Sequence, residues 1–299
     1  MLSYRHGFHA GNHADVLKHV VVLHLLRYMT RKDKAFWYVD THAGAGAYSL
    51  IEGYAVQKAE FRTGIERLYR APGLPPLLAD YVAAVRAFND GGELRNYPGS
   101  PSLAWRTLRD QDRLRLFEMH STEIEVLRRN FEGAGQKLVL FDGDGFDGLR
   151  SVLPPASRRA LTLIDPSYED KRDYHRTVAA LEDALQRFAG GTYVIWYPQV
   201  RRAEAERLPK QLKRLGGQSW LNVTLTISAP PVGGFGLYGS GLFVVNPSYL
   251  LAPALATAMP VLKELLGQDA SASFTLEHFD AGHKPRPKAA DEDGDRRFR

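Results

Sequence analysis

The feature that most limits the fold is a recurrence of short apolar runs, several of them separated by stretches of helical spacing. The runs cover residues 35–40, 114–118, 137–141, 160–164, 192–196, 221–227 and 242–245. Each is short for a helix and suited to a buried strand. Residues 122–131, 174–188 and 202–215 carry apolar side chains every three or four positions. Strands alternating with helices imply an α/β fold, a doubly wound, mostly parallel sheet with helices on both faces, because parallel neighbours need a crossover. A further helix is expected over 14–29 (Val16, Leu17, Val20, Val21, Leu25), capped by Asn12 or His13.

Residues 49–98 interrupt this alternation. They read as helical over 60–69 and 77–89 and contain no convincing strand. The first apolar run ends in Asp40 and continues Thr41-His42-Ala43-Gly44-Ala45-Gly46. An acid followed by a glycine turn suits a nucleotide site, since glycine lets backbone approach a ligand closely. With only two close glycines, an ordinary strand-to-helix turn explains the motif equally well. A second acid is expected at the end of the next strand, about 20 residues on, to accept ribose hydroxyls. Glu118 ends such a strand but arrives too late. Excising 49–98 restores the spacing, so the late acid and the strandless stretch explain each other. The expected division is a catalytic domain over 1–48 and 99–282, a helical insertion over 49–98, and a disordered polar tail over 283–299. A third acidic turn, Asp142-Gly143-Asp144-Gly145-Phe146, can receive an adenine amine or be a plain turn.

The reacting end reads Leu161-Thr162-Leu163-Ile164-Asp165-Pro166-Ser167-Tyr168. In an open α/β sheet the carboxyl ends of strands hold ligands. An exocyclic amine on an aromatic ring is a poor nucleophile because its lone pair is delocalised. Two acceptors on its N–H groups, the Asp165 carboxylate and the Pro166 carbonyl, favour a tetrahedral nitrogen with a usable lone pair. Asp165 is also placed to take the released proton, and Tyr168 offers a flat face to an extruded base. Asn246-Pro247-Ser248-Tyr249 repeats this form on the last expected strand and reads as structural.

The N-terminal residues Tyr4-Arg5-His6-Gly7-Phe8-His9 combine cation and ring, as RNA contacts do, although a solvated arm fits them too. Helical spacing groups Asp15, Lys18 and His19. The histidines there lack a metal-ligand spacing, so no metal is expected. With no cysteine and a net charge of +5, thiolate chemistry is excluded and an acidic partner is permitted. The absence of a long apolar run or signal-like N-terminus makes a cytoplasmic protein, without membrane association, the expectation.

Taken together, Tyr4-Arg5-His6, residues 9–15, Lys18-His19, residues 40–46, Tyr97-Pro98-Gly99-Ser100-Pro101 and Leu163-Ile164-Asp165-Pro166 resemble the bacterial 23S ribosomal RNA adenine-N6 methyltransferases. Gly191-Thr192-Tyr193, Trp196-Tyr197-Pro198 and the strand into Asn246-Pro247 match as well, so the resemblance spans nearly the whole chain before residue 282. It implies a class I methyltransferase fold with a small helical insertion and S-adenosylmethionine as cofactor. It implies cofactor contacts from Lys18, His19, His42, Ser100, Glu118, Asp144, Gly145 and Asp165, catalysis by Asp165, and a Tyr4 contact to substrate. The implied partner is 23S ribosomal RNA, and a monomer is expected. The family's box is Asp-Pro-Pro-Tyr; here Ser167 holds the third place. The box alone does not separate RNA adenine from DNA adenine, cytosine or a protein glutamine, and a non-catalytic RNA-binding scaffold is the alternative from another class.

Overall fold

The computed structural model describes residues 5–215, 217–233 and 236–282. In chain order its strands are β1 (Trp37–Asp40), β2 (Ala47–Ser49), β3 (Asn96–Pro98), β4 (Arg113–Glu118), β5 (Leu138–Asp142), β6 (Ala160–Ile164), β7 (Thr192–Gln199), β8 (Trp220–Thr226), β9 (Gly239–Val245) and β10 (Ser273–Phe279). The helices are α1 (His13–Thr30), α2 (Tyr54–Lys58), α3 (Ile65–Arg70), α4 (Pro76–Phe88), α5 (Ser100–Thr107), α6 (Ser121–Asn130), α7 (Gly145–Val152), α8 (Arg172–Arg187), α9 (Ala203–Arg214) and α10 (Leu251–Leu266).

Among the described residues, eight strands form one sheet in the order β10-β8-β9-β7-β6-β1-β4-β5. The block β5-β4-β1-β6-β7 is parallel. Strands β9, β8 and β10 close the sheet antiparallel. The chain winds outward from β1 through β4 on one side and through β6 on the other. The carboxyl ends of β1 and β6 therefore border the point where strand order reverses, which is where such sheets open a ligand crevice. Strand β6 is buried at every position, as a central parallel strand covered on both faces must be.

One core lies between the sheet and the layer containing α1, α4, α5 and α10; Leu17, Leu25, Tyr38, Leu161 and Leu255 belong to it. The other, with Val39, Phe146, Leu181 and Tyr193, fills the space beneath α7, α8 and α9. Each fully buried large apolar side chain contributes about 1.5–3 kcal/mol. Helix α1 is buried on nearly all sides, from His13 to Leu23. The helices of the interrupting stretch cover its outer face, since α3 and α4 share its core. Asn12 is the cap of α1, its side chain accepting from the backbone N–H groups of Ala14 and Asp15.

The stretch 49–98 contains a strand after all. Strand β3 pairs antiparallel with β2 in the register Ala47↔Pro98, Tyr48↔Tyr97 and Ser49↔Asn96. Three residues ending in proline carry no readable alternation. This pair brings residues 49 and 96 together, so the intervening chain leaves and returns at one place. Helix α10 was also not foreseen; Pro260 inside it breaks the usual helical signature. The repeat box at Asn246 lies at the far end of the sheet from Asp165, because β9 runs against β7 with Tyr193 opposite Val245. There the Asn246 amide donates to the carbonyls of Ala189 (2.8 Å) and Gly191 (2.7 Å). It clamps the loop that enters β7, in keeping with a structural role.

Candidate active site

Helix α1 aims a run of polar side chains at the ends of β1 and β6. Lys18, on its buried face, donates to Asp165 Oδ2 at 2.6 Å and pairs with Asp15 Oδ1 at 2.9 Å. Asp15 also accepts from Gly11 N at 2.9 Å, and His6 Nε2 lies 2.9 Å from Asp15 Oδ2. Burial alone would raise the Asp15 carboxyl, but His6, Lys18 and His19 outweigh it and hold the group well below the ordinary range. Lys18 is correspondingly held above its ordinary value: burial opposes its charge, and the two carboxylates more than restore it. Burial raises Asp165 while Lys18 pulls it down. Burial outweighs that pull, so the Asp165 carboxyl lies above its ordinary value while Lys18 anchors it at the mouth of the crevice.

His19 follows one position on. Its Nδ1 lies 2.7 Å from the Tyr97 hydroxyl, and burial lowers its pKa to about 3. Ser100 donates to Asp40 Oδ2 at 2.7 Å, joined by Tyr38 at 3.0 Å, while His42 N donates to Asp40 Oδ1 at 3.2 Å. His42 packs edge-on against Phe146, and burial lowers its pKa to about 4. Glu118 ties the glycine turn to β4: Oε2 accepts from Gly44 N (2.8 Å) and Oε1 from His120 N (2.7 Å). Each oxygen keeps acceptor capacity for a further donor.

Two glycines are required here. Gly44 sits at φ +60°, where a Cβ would also meet the Tyr48 hydroxyl. At Gly145, a Cβ would lie 1.9 Å from the Thr41 carbonyl, so this position lets α7 start against the end of β1. Asp144 caps α7 by accepting from Phe146 N at 2.9 Å, and Arg176 donates to its other oxygen at 2.7 Å. The acidic turn is thus a helix cap held by an arginine, more than the plain turn allowed by the sequence.

Tyr168 departs from expectation. Its ring is buried against Tyr174 and Trp196, and its hydroxyl donates to the Trp196 carbonyl at 2.8 Å. A left-handed backbone at φ 54° turns the side chain down into the core. It fixes the box from below and does not present a stacking face. Tyr4 lies outside the described residues. Arg5 is present but rests on Tyr54, donating to its hydroxyl at 2.6 Å. The sequence brought Asp15 beside Lys18 but did not place it in the site. Its signal was an acid at i−3 and i−4 from a lysine and a histidine on one helix. No cluster of metal-ligating side chains occurs among the described residues.

A doubly wound sheet with carboxylates at the ends of β1, β4 and β6 around a glycine turn defines a class I methyltransferase. Residues 33–278 match the family model described as "Ribosomal RNA large subunit methyltransferase D, RlmJ". The chain is 42% identical to Ribosomal RNA large subunit methyltransferase J of Haemophilus influenzae over 278 residues, covering 93% of this chain and 98% of that one. Its counterpart from Escherichia coli is 42% identical over 266 residues, with coverages of 89% and 94%. A crystal structure of protein LPL1258 from Legionella pneumophila superposes with a TM-score of 0.82 at 34% identity, over 90% of this chain and 98% of that one. The chain belongs to the ribosomal RNA large subunit methyltransferase J family.

S-adenosylmethionine is the cofactor, and it supplies a methyl group activated on a cationic sulfur. The site's composition fits it: Glu118, Asp144 and Asp165 offer acceptors to a ligand rich in cationic and hydroxyl groups, and Gly44 and Gly145 leave the backbone bare.

Asp40 makes a pH prediction. Burial, aided by the charge of Asp165, pushes its carboxyl up to about 6 against hydrogen bonds from Ser100, His42 and Tyr38. A folded-state value above the unfolded one means this group's contribution is complete in acid and is lost as pH rises from about 4 through about 6. Asp40→Asn cannot ionise, so its stability relative to the parent should climb over that window by up to about 2–3 kcal/mol. Urea unfolding of both proteins at about pH 4.5 and 7 measures this; a constant difference refutes the raised value.

Proposed function

We propose that this chain transfers the methyl group of S-adenosylmethionine to the N6 amine of one adenine in 23S ribosomal RNA. The observation that carries the reading is Asp165, gripped by Lys18 at the carboxyl end of β6 and followed directly by Pro166. The Asp165 carboxylate and the Pro166 carbonyl accept the two N–H groups of the amine, freeing its lone pair. Asp165 or water takes the proton as the N–C bond forms. Lys18 pulls the Asp165 carboxyl down against its burial and fixes it in place. Lys18, His19, His42, Ser100, Glu118, Asp144 and Gly145 surround the cofactor in this reading, and Tyr4 and Arg5 meet the RNA. Tyr168 supports the box from the core. The catalytic unit comprises 1–48 and 99–282 with 49–98 as an insertion, and the protein works as a cytoplasmic monomer. Among the described residues no helix is long and apolar enough to cross a membrane.

The test is tritiated-methyl transfer to 23S RNA from cells lacking the gene, with mapping of N6-methyladenine. One labelled adenine supports the proposal. Label on DNA, on cytosine or on protein, and none on this RNA, overturns it.

Ser167 gives a second test. It is partly exposed, and its hydroxyl makes only a long 3.5 Å contact with Glu169 N. Proline at this place would stiffen the turn that aims the Pro166 carbonyl. Ser167→Pro should raise stability by about 0.4–1 kcal/mol and speed single-turnover transfer. Equal rates would show that the second proline does not set the turn.

A further inference from the structure

The interrupting stretch carries an exposed ring that the site described above does not use. Tyr54, at the start of α2, is 40% exposed, and Ile51 and Val56 beside it are exposed as well. The N-terminal 3-10 turn, His6–Phe8, lies directly on this helix. A Cβ added at Gly7 would be 3.3 Å from Tyr54 Cβ, so the two segments meet with no side chain between them. The Phe8 ring is 4.8 Å from the Tyr54 ring. The Arg5 guanidinium stands 5.1 Å above Tyr54, and the Lys58 ammonium 5.6 Å from Phe8. Cations and rings alternate across one surface. The nearby acid Glu60 is engaged by His9 and Asn12, though it also lies close enough to Lys58 to feel its charge.

This surface is joined to the reacting end by a short chain of contacts. His6 touches Asp15, Asp15 pairs with Lys18, and Lys18 with Asp165. The His6 ring also lies 5.2 Å from Tyr48, whose hydroxyl accepts from Ala45 N in the glycine turn. An apolar face alone would suit many partners. Rings flanked by arginine and lysine suit a polyanion with flat bases, because a base stacks on the ring while its phosphates meet the cations.

We propose that Tyr54, with Phe8, Arg5 and Lys58, forms a shelf that stacks an unpaired nucleotide flanking the target adenine. The interrupting stretch thereby acts as an RNA grip as well as a cover for α1. This inference rests on an RNA substrate, as proposed above. Tyr54→Ala should weaken binding of unmodified 23S RNA transcript about tenfold, read by filter binding, and raise the KM for that RNA by a similar factor. The kcat at saturating RNA and the Kd for S-adenosylmethionine should stay within about twofold of the parent's, as expected for a residue that binds without touching the chemistry. Tyr54→Phe, which keeps the ring, should retain most of the affinity. Unchanged RNA binding in Tyr54→Ala overturns the shelf. So does an equal loss on a blunt RNA duplex, which offers no unpaired base, or a parallel loss of cofactor affinity. Binding is read without turnover, so a parent that binds this RNA but leaves it unlabelled refutes the proposed reaction while the shelf is still judged by its own variants.

Discussion

Asp165→Ala should reduce methyl transfer by about 10³-fold or more while S-adenosylmethionine still binds within a few-fold of the parent. The carboxylate is the one acidic side chain directly preceding the Pro166 carbonyl, so its loss leaves the amine with a single acceptor and no nearby base. The substitution should not unfold the protein. Lys18 keeps its second partner, Asp15, at 2.9 Å, and no unpaired buried charge is created, which is the costly outcome when one member of a buried pair is removed. Single-turnover transfer, isothermal titration with the cofactor and urea unfolding separate the three effects. Transfer within tenfold of the parent would remove Asp165 from the chemistry.

Asp15→Asn should destabilise the protein by about 3 kcal/mol and slow transfer. Asp15 is 1% exposed and gathers His6, Gly11 N and Lys18 around one carboxylate. The amide keeps the shape but replaces an acceptor oxygen with a donor facing other donors. Its depressed carboxyl contributes stability above the ordinary carboxylate range, and this is lost as pH falls through the folded value. The gap between parent and Asp15→Asn should therefore be full at neutral pH and close in strong acid. A double-mutant cycle with Lys18→Met should give a coupling above about 1 kcal/mol. Additive losses would mean that Asp15 and Lys18 act independently, and the anchoring of Asp165 through α1 would fail with them.

Much of the site was legible because its acids sit where strands end. Asp40, Glu118 and Asp165 each close an apolar run, and strand period alone fixes that position. The late position of Glu118 is the spacing that points to an insertion over 49–98. Tyr168 was misread because the box names residue types but not the sign of φ. One left-handed residue sends that ring into the core. Strand β3 and helix α10 were missed for local reasons: three residues show no period, and an internal proline masks a helix.

The sequence by itself determined the alternation of strands and helices, the order of acids along it, and the chemistry that Asp165 and Pro166 can perform. These are local properties, written in periodicity and side-chain type. Only the tertiary structure decided that α1 is enclosed by the stretch 49–98, that Lys18 reaches across to Asp165, a residue 147 positions away, and that Arg5 and Phe8 lie on Tyr54. Those contacts depend on how layers pack around a shared core, and pairs so distant in the chain leave no spacing to read.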